Sequence, residues 1–311
     1  MNDSQAARQT VMPIPEPNSI MGTLSPPVMV LLSILSAQLG AAIAKTLLPT
    51  YHAFSIVLLR TGFAAIMLWV VARPPMRQYS KRQWRYAVAL GIVIAVLSLA
   101  FYESVTRIPL GITMTIEFLG PLMVAVAASR KVKDLIWPLL ALGGVLLLAP
   151  IGNLRSLSLP GMAFAFVAAA AWAGYLILAK RTTTIFSGTT GLTLAMTFGA
   201  AAVFPFGLLS GGRSLLNVSL LASGFCVSML STMIPLSLEF FALKRMSPRT
   251  FGILLSADPS VAALIGFVVL HEHLALREWA AVGLVSAATL GVMSQNAKSR
   301  GSERSVPSVI S

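Results

Sequence analysis

Long apolar runs fill most of the chain, and short polar interruptions separate them. A helix needs about 20 residues to cross the roughly 30 Å hydrocarbon layer of a bilayer. Ten runs meet or approach that length: 28–48, 52–72, 86–106, 108–129, 135–151, 160–180, 188–209, 219–243, 249–270 and 275–295. Glycines and prolines inside several of them are normal for membrane helices. The pattern therefore predicts an all-α integral membrane protein of ten transmembrane helices. Residues 1–27 and 297–311 hold no such run and are expected to be disordered tails. Pro13, Pro15 and Pro17 disfavour a helix in the first tail, which also lacks the basic start and short apolar core of a signal peptide. The nearest thing to a cleavage site, "AQLGAAIAK" at 37–45, lies at the far end of a full span, so the first helix is expected to stay uncleaved.

Composition agrees with this pattern. Of 311 residues, 56% are hydrophobic and 11% charged, against about 25% charged in a soluble domain. The net charge of +13 sits in short loops. No basic, aromatic-interleaved domain is present to bind nucleic acid, so the charge reports topology instead. With the N-terminus in the cytoplasm, 17 lysines and arginines fall on the cytoplasmic side. They lie at 8, 73–85, 130–133, 180–181, 244–249 and 298–304. Five fall opposite, at 45, 107, 155, 213 and 277, and Arg60 is left inside a span. The bias places both termini in the cytoplasm. Cys226 is the only cysteine, so there is no disulfide framework and no CxxC metal site.

The two halves of the chain resemble each other. "SVTRI" at 104–108 matches "ALKRM" at 242–246, and at the same offset of 138 Pro121 meets Pro259 and Arg107 meets Arg245. "AAIAK" ending at Lys45 resembles "LILAK" ending at Lys180, and Trp137 and Trp279 open the last helix of each half. Five helices per half is an odd number, so the second half must insert upside down. Two inverted five-helix repeats result, 28–152 and 160–296. That is a transporter architecture, with the solute site near the midplane at the repeat interface.

Polar residues inside the spans are the candidate chemistry. Leaving Glu117 ionised in hydrocarbon would cost several kcal/mol, so it needs a partner, a proton or a wet cavity. Glu117 lies four residues before Pro121, and Asp258 directly precedes Pro259. The two carboxylates are thus expected at similar depth in opposed halves. Each proline removes a backbone hydrogen bond, making Pro121 and Pro259 candidate hinges. The pair would receive a substrate ammonium or a proton; the plainer alternative is a protonated carboxyl bonding to a neighbouring helix. Arg60 needs an anion, either a substrate carboxylate or one of these acids. Gln38 would bind an amino acid's backbone groups or bridge helices. Trp172 and Tyr175 would wall a cavity or pack in the core. Glu103 and Arg107, spaced i, i+4, form an expected interfacial ion pair. Glu239 would guard an entrance or balance Lys244 and Arg245. Lys45 is expected to snorkel to headgroups, and Glu272 to cap the turn before the last helix. "HEH" at 271–273 lacks the HExxH spacing that brings two ligands together, so no metal is expected. No Walker A motif is present either. No nucleophile–base set accompanies the midplane acids, which argues against a membrane-embedded enzyme.

Several stretches resemble the ten-helix drug/metabolite transporter superfamily, EamA type: "QLGAAIAKTLLP" (38–49), "LRTG" (59–62), "EFLGPLMVAVAASRK" (117–131), "AWAGYLILAKR" (171–181), "PLSLEFFALKRMSPRTFG" (235–252) and "SADPSVAALIGFVVLHEHL" (256–274). The resemblance covers roughly 28–296. The family's acidic residue after the fourth helix of each half survives only as Glu272; the first half reads "SRKVKD". That departure is itself like the branch that exports threonine- and homoserine-like amino acids. The resemblance implies a secondary transporter of the bacterial inner membrane that exchanges a small zwitterion for protons, with no cofactor. Another metabolite or drug on the same fold is the alternative.

A reporter fused after Lys298 is expected to read cytoplasmic, and one near Gly211 and Gly212 external. The reverse at either position would overturn the inverted arrangement.

Overall fold

The computed structural model describes residues 24–72, 74, 79–127, 136–147, 158–186, 189–246, 251 and 254–304. All regular elements among them are helical. In chain order they are α1 (Pro26–Leu47), α2 (Ala53–Ala72), α3 (Lys81–Val105), α4 (Leu110–Glu117), α5 (Leu119–Ala127) and α6 (Ile136–Leu147). There follow α7 (Leu159–Ile185), α8 (Thr190–Gly211), α9 (Val218–Ser228), α10 (Ile234–Arg245), α11 (Asp258–Val269) and α12 (Leu276–Arg304). A π-helical turn, Met229–Met233, joins α9 to α10. Among the described residues, six helical segments are long and apolar enough to cross a membrane: Pro26–Leu47, Ala53–Ala72, Lys81–Val105, Leu159–Thr182, Thr190–Leu216 and Val218–Glu239. Leu110–Val124 and Asp258–Val269 are shorter apolar helical segments.

Local chemistry sets the ends of these elements. Pro26 and Pro27 occupy the first turn of α1, where a missing N–H breaks no intrahelical bond. The helix thus takes in two residues expected in the tail. Ser80 and Gln83 cap α3 reciprocally, side chain to backbone in both directions. At the other terminus α12 runs on to Arg304, so residues 297–304, expected as tail, continue the helix. Residues 1–23 and 305–311, the "SRKVKD" stretch after Ala128 and the Arg155 loop lie outside the described residues.

The helices pack as pairs. α3 lies against α7 and α8, α2 against α8, α1 against α10, α4 against α11, and α6 against α12. Lipid is as apolar as leucine, so such contacts depend on close backbone approach rather than on hydrophobic exclusion. Glycine supplies the closeness where α5 crosses α7: a Cβ on Gly120 would lie 2.2 Å from the Ala169 carbonyl oxygen. Outward-facing side chains such as Ile66, Val70 and Leu209 are exposed and apolar, as a lipid-facing surface requires.

Gly120→Ala is expected to push α5 off α7 and to cost about 1–3 kcal/mol of stability. Gly62→Ala, whose Cβ would meet nothing within 4 Å, should be neutral. Thermal unfolding of the two variants in detergent checks the difference.

Candidate functional site

Two of the predicted spans are broken, and at equivalent places. The run 108–129 divides at Phe118, immediately after Glu117. The run 249–270 divides at Ser256–Ala257, immediately before Asp258. Phe118 and Ser256 are 138 residues apart, the spacing of the sequence repeat. The prolines explain the breaks. Pro121 and Pro259 stand in the first turns of α5 and α11, where proline is tolerated. Neither has an N–H to return to the carbonyl four residues back, which belongs to Glu117 or Leu255. Asp258 thereby opens α11, where the positive end of the helix dipole suits a carboxylate.

The carboxylates beside these breaks, Glu117 and Asp258, line one cavity of about 280 Å³. Gln38 of α1, Arg60 of α2, Glu117 of α4, Glu239 of α10 and Asp258 of α11 all line it. Trp172 and Tyr175 of α7 and Tyr102 of α3 supply aromatic wall. All six residues expected to meet substrate or proton therefore border one space. Phe118, at the break, stands edge-on to Trp172 with ring centroids 5.0 Å apart. Ile94, Leu97, Met114 and Met196 make the remaining wall largely apolar.

Hydrogen bonds order the polar side chains only in part. The Gln38 amide Nε2 donates to Asp258 Oδ1 at 2.7 Å, so this glutamine does bridge helices. Its Oε1 is buried and has no hydrogen-bond partner among the described residues, and neither has Glu117 Oε2. Ser33 Oγ donates to Glu239 Oε1 at 3.2 Å. Arg60 makes two long bonds, Nε to Thr232 Oγ1 at 3.3 Å and Nη1 to Ser98 Oγ at 3.4 Å. Its guanidinium also lies over the Tyr102 ring, 5.9 Å from the centroid. No carboxylate among the described residues lies within 4.0 Å of it. Glu117 and Asp258 border the same cavity but are not its contact partners.

Other sequence candidates lie elsewhere or act differently. Glu103 and Arg107 form the expected i, i+4 ion pair at 2.5 Å, exposed at a helix end, with Arg107 also over the Phe164 ring. Lys45 does not snorkel. Its ammonium lies 2.7 Å from Glu272 Oε1 and donates to the Ile108 carbonyl at 2.9 Å. Glu272, expected to cap the turn before the last helix, reaches across to accept from the Leu110 N–H at 2.9 Å. Glu239 borders the cavity; the Lys244 side chain lies outside the described residues. Among the described residues no group of three or more His, Cys, Asp or Glu could hold a metal. Ser33, Ser98 and Thr232 were not anticipated as site residues. Their only signal was a hydroxyl inside an apolar run, which is common in membrane helices that bond their own backbone. The π-helical turn that delivers Thr232 had no signal beyond Pro235.

Membrane-length helices around a cavity lined by ionisable side chains are the build of a multi-pass membrane transport protein. Comparisons carry this further. Residues 159–294 match the EamA-like transporter family. The threonine/homoserine exporter RhtA of Escherichia coli (strain K12) is 34% identical over 267 residues, 86% of this chain and 90% of that one. Its counterpart in Salmonella typhimurium (strain SL1344) is also 34% identical over 267 residues, 85% and 90% of the respective chains. A solved crystal structure of a protein only 16% identical superposes with a TM-score of 0.57, over 86% of this chain and 95% of that one, and shares the fold. The chain belongs to the EamA-like transporter family.

Arg60→Ala is expected to weaken substrate handling about tenfold or more, since a hydrogen bond to a charged group contributes roughly 1.5–3 kcal/mol. Arg60→Lys should restore part of it, because lysine keeps the charge but lacks the planar fork. Uptake kinetics in vesicles, normalised to folded protein, give the answer; wild-type values in Arg60→Ala would remove Arg60 from the site.

Proposed function

We propose that this protein exports small zwitterionic amino acids of the threonine and homoserine kind across the bacterial inner membrane in exchange for protons. Transport runs by alternating access between two inverted five-helix repeats, 28–152 and 160–296, with both termini in the cytoplasm. In this reading α4 and α5 are two parts of one span, and α9, the π turn and α10 make another, for ten in all. Packing supports the repeat. Exchanging each helix for its counterpart turns the α3–α7 contact into the contact of α1 with α10, and maps α2–α8, α4–α11 and α6–α12 onto themselves.

The observation that carries the reading is the juxtaposition in one cavity of Arg60 with Glu117 and Asp258. A guanidinium fork matches a carboxylate. Glu117 Oε2 and Gln38 Oε1 are buried acceptors without protein donors, and an α-ammonium has three N–H groups to offer. The aromatic and aliphatic wall would receive the substrate side chain. Both named relatives are threonine/homoserine exporters, which supports the substrate class and the direction.

Coupling follows from competition at Glu117. Either a proton or a substrate ammonium neutralises the carboxylate, but not both together. Substrate arriving from the cytoplasm displaces the proton; substrate leaving outside lets a proton take its place. Returning neutral completes the exchange, and the proton gradient sets the direction.

Glu117→Gln keeps size and hydrogen bonds but cannot bind or release a proton. It should fold normally and lose accumulation against a gradient. Glu117→Asp should retain some coupling with a displaced pH optimum. The measurement is radiolabelled threonine and homoserine transport in reconstituted vesicles under an imposed pH gradient, beside a thermal-stability control. If Glu117→Gln still concentrates substrate at the wild-type rate, Glu117 is not the coupling group and Asp258 is the next to test.

A further inference from the structure

At the end of the bundle away from Glu239, one cluster ties the two halves of the chain together. Lys45, at the last turn of α1, pairs with Glu272 in the turn between α11 and α12, N–O 2.7 Å. The Lys45 ammonium also donates to the Ile108 carbonyl at 2.9 Å, and Glu272 Oε2 accepts the Leu110 N–H at 2.9 Å. Three segments, two from 28–152 and the α11–α12 turn, thus meet at one charged contact. We infer that the Lys45–Glu272 pair is the latch that closes this end of the solute pathway, and that it must part for the cavity to open there. The inference rests on the alternating-access reading above.

Position is the first argument. Lys45 lies seven residues beyond Gln38 on α1, and Leu110 seven residues before Glu117 on α4. At 1.5 Å per residue the latch sits about 10 Å from the carboxylate level along both helices. The space between is filled by buried apolar side chains: Ala41, Ala44, Val105, Leu110 and Met114. This end is therefore shut by packing with an ionic contact across its rim.

The backbone is shaped to make that contact. His271 has φ of 55°, a left-handed conformation unusual for a side-chain-bearing residue, and it sits directly before Glu272. The turn folds back so that the Glu272 N–H reaches the Gly266 carbonyl at 3.0 Å. Gly266 leaves room for this carboxylate: a Cβ there would crowd Glu272 Oε2 and push it from its present position. Strain and a bare backbone are spent to bring one carboxylate inward.

Energetics suit a contact that opens and closes. The side chains are 21% and 12% exposed, so the pair is partly shielded while shut. When the end opens, both charges regain water, and rehydration offsets much of the lost Coulomb attraction. An apolar seal alone would have no comparable compensation on opening.

The test reads which side of the membrane the cavity is open to, and needs no substrate. In a Cys226→Ser background, Ala37→Cys places a single thiol in the cavity wall. A membrane-impermeant maleimide is applied to full-length protein in vesicles from the Lys45 side. Glu272→Gln, which can still accept from Leu110, and Lys45→Gln should each label about tenfold faster than the parent from that side and slower from the other. A second arm replaces both residues, Lys45→Cys with Glu272→Cys, without the reporter thiol. A short reducible bis-thiol cross-linker should then stop transport, and reduction should restore it. Unchanged labelling in both single variants, or full transport by cross-linked protein, overturns the latch. A shift in labelling in a protein that moves no amino acid would instead refute the proposed substrate and leave the latch standing.

Discussion

Everything in this molecule is arranged around the difficulty of holding charge inside a bilayer. A guanidinium and three carboxylates lie within helical segments whose other residues are mostly apolar. Each unpaired charge in hydrocarbon would oppose folding by several kcal/mol. The bundle answers by gathering all four around one enclosed space, where they see one another, hydroxyl groups and whatever enters. Interrupted helices follow from the same need. Non-helical backbone at membrane depth is tolerable only where it is buried in protein or lines such a space, and each break, at Phe118 and at Ser256–Ala257, adjoins a carboxylate that lines the cavity.

Apolar run length and proline position made much of this readable in the sequence. Run length located most of the helices, because the bilayer fixes it, but α12 continues to Arg304, well past its predicted end. Ionisable or amide residues deep within a run pointed to an interior cavity, because hydrocarbon disfavours them. Arg60, Gln38, Glu117 and Asp258 were legible for that reason. What stayed hidden depends on pairing across the chain. Lys45 and Glu272 are 227 residues apart in the sequence, and each taken alone has an ordinary explanation at a helix end. Ser98 and Thr232 carry no mark that separates a hydroxyl facing Arg60 from one bonding its own helix. Glu239 was ambiguous because it stands close in sequence to two bases, while the side it presents is set by the π-helical turn before it.

The two ends of the cavity are built on different physics. Toward Lys45, small and apolar side chains are buried and one ion pair joins α1 to the turn before α12. Toward Glu239 a carboxylate held by the Ser33 hydroxyl borders the cavity itself. Arg60 and Glu117 border the cavity between these two ends.

The π-helical turn at Met229–Met233 has a further implication. Such a turn contains one residue more than an α-helical path over the same rise, and each residue advances a helix by about 100°. The extra residue therefore acts as a phase offset for all of α10. Loss of a single residue there would leave the composition of the span almost unchanged. It would rotate Leu236 and Glu239 by more than a quarter turn, away from the cavity and toward their neighbours. Descendants of this chain that differ by one residue in that turn would thus present a different inner face from nearly the same letters, and counting residues between Asn217 and Pro235 would be a better guide to their cargo than percent identity.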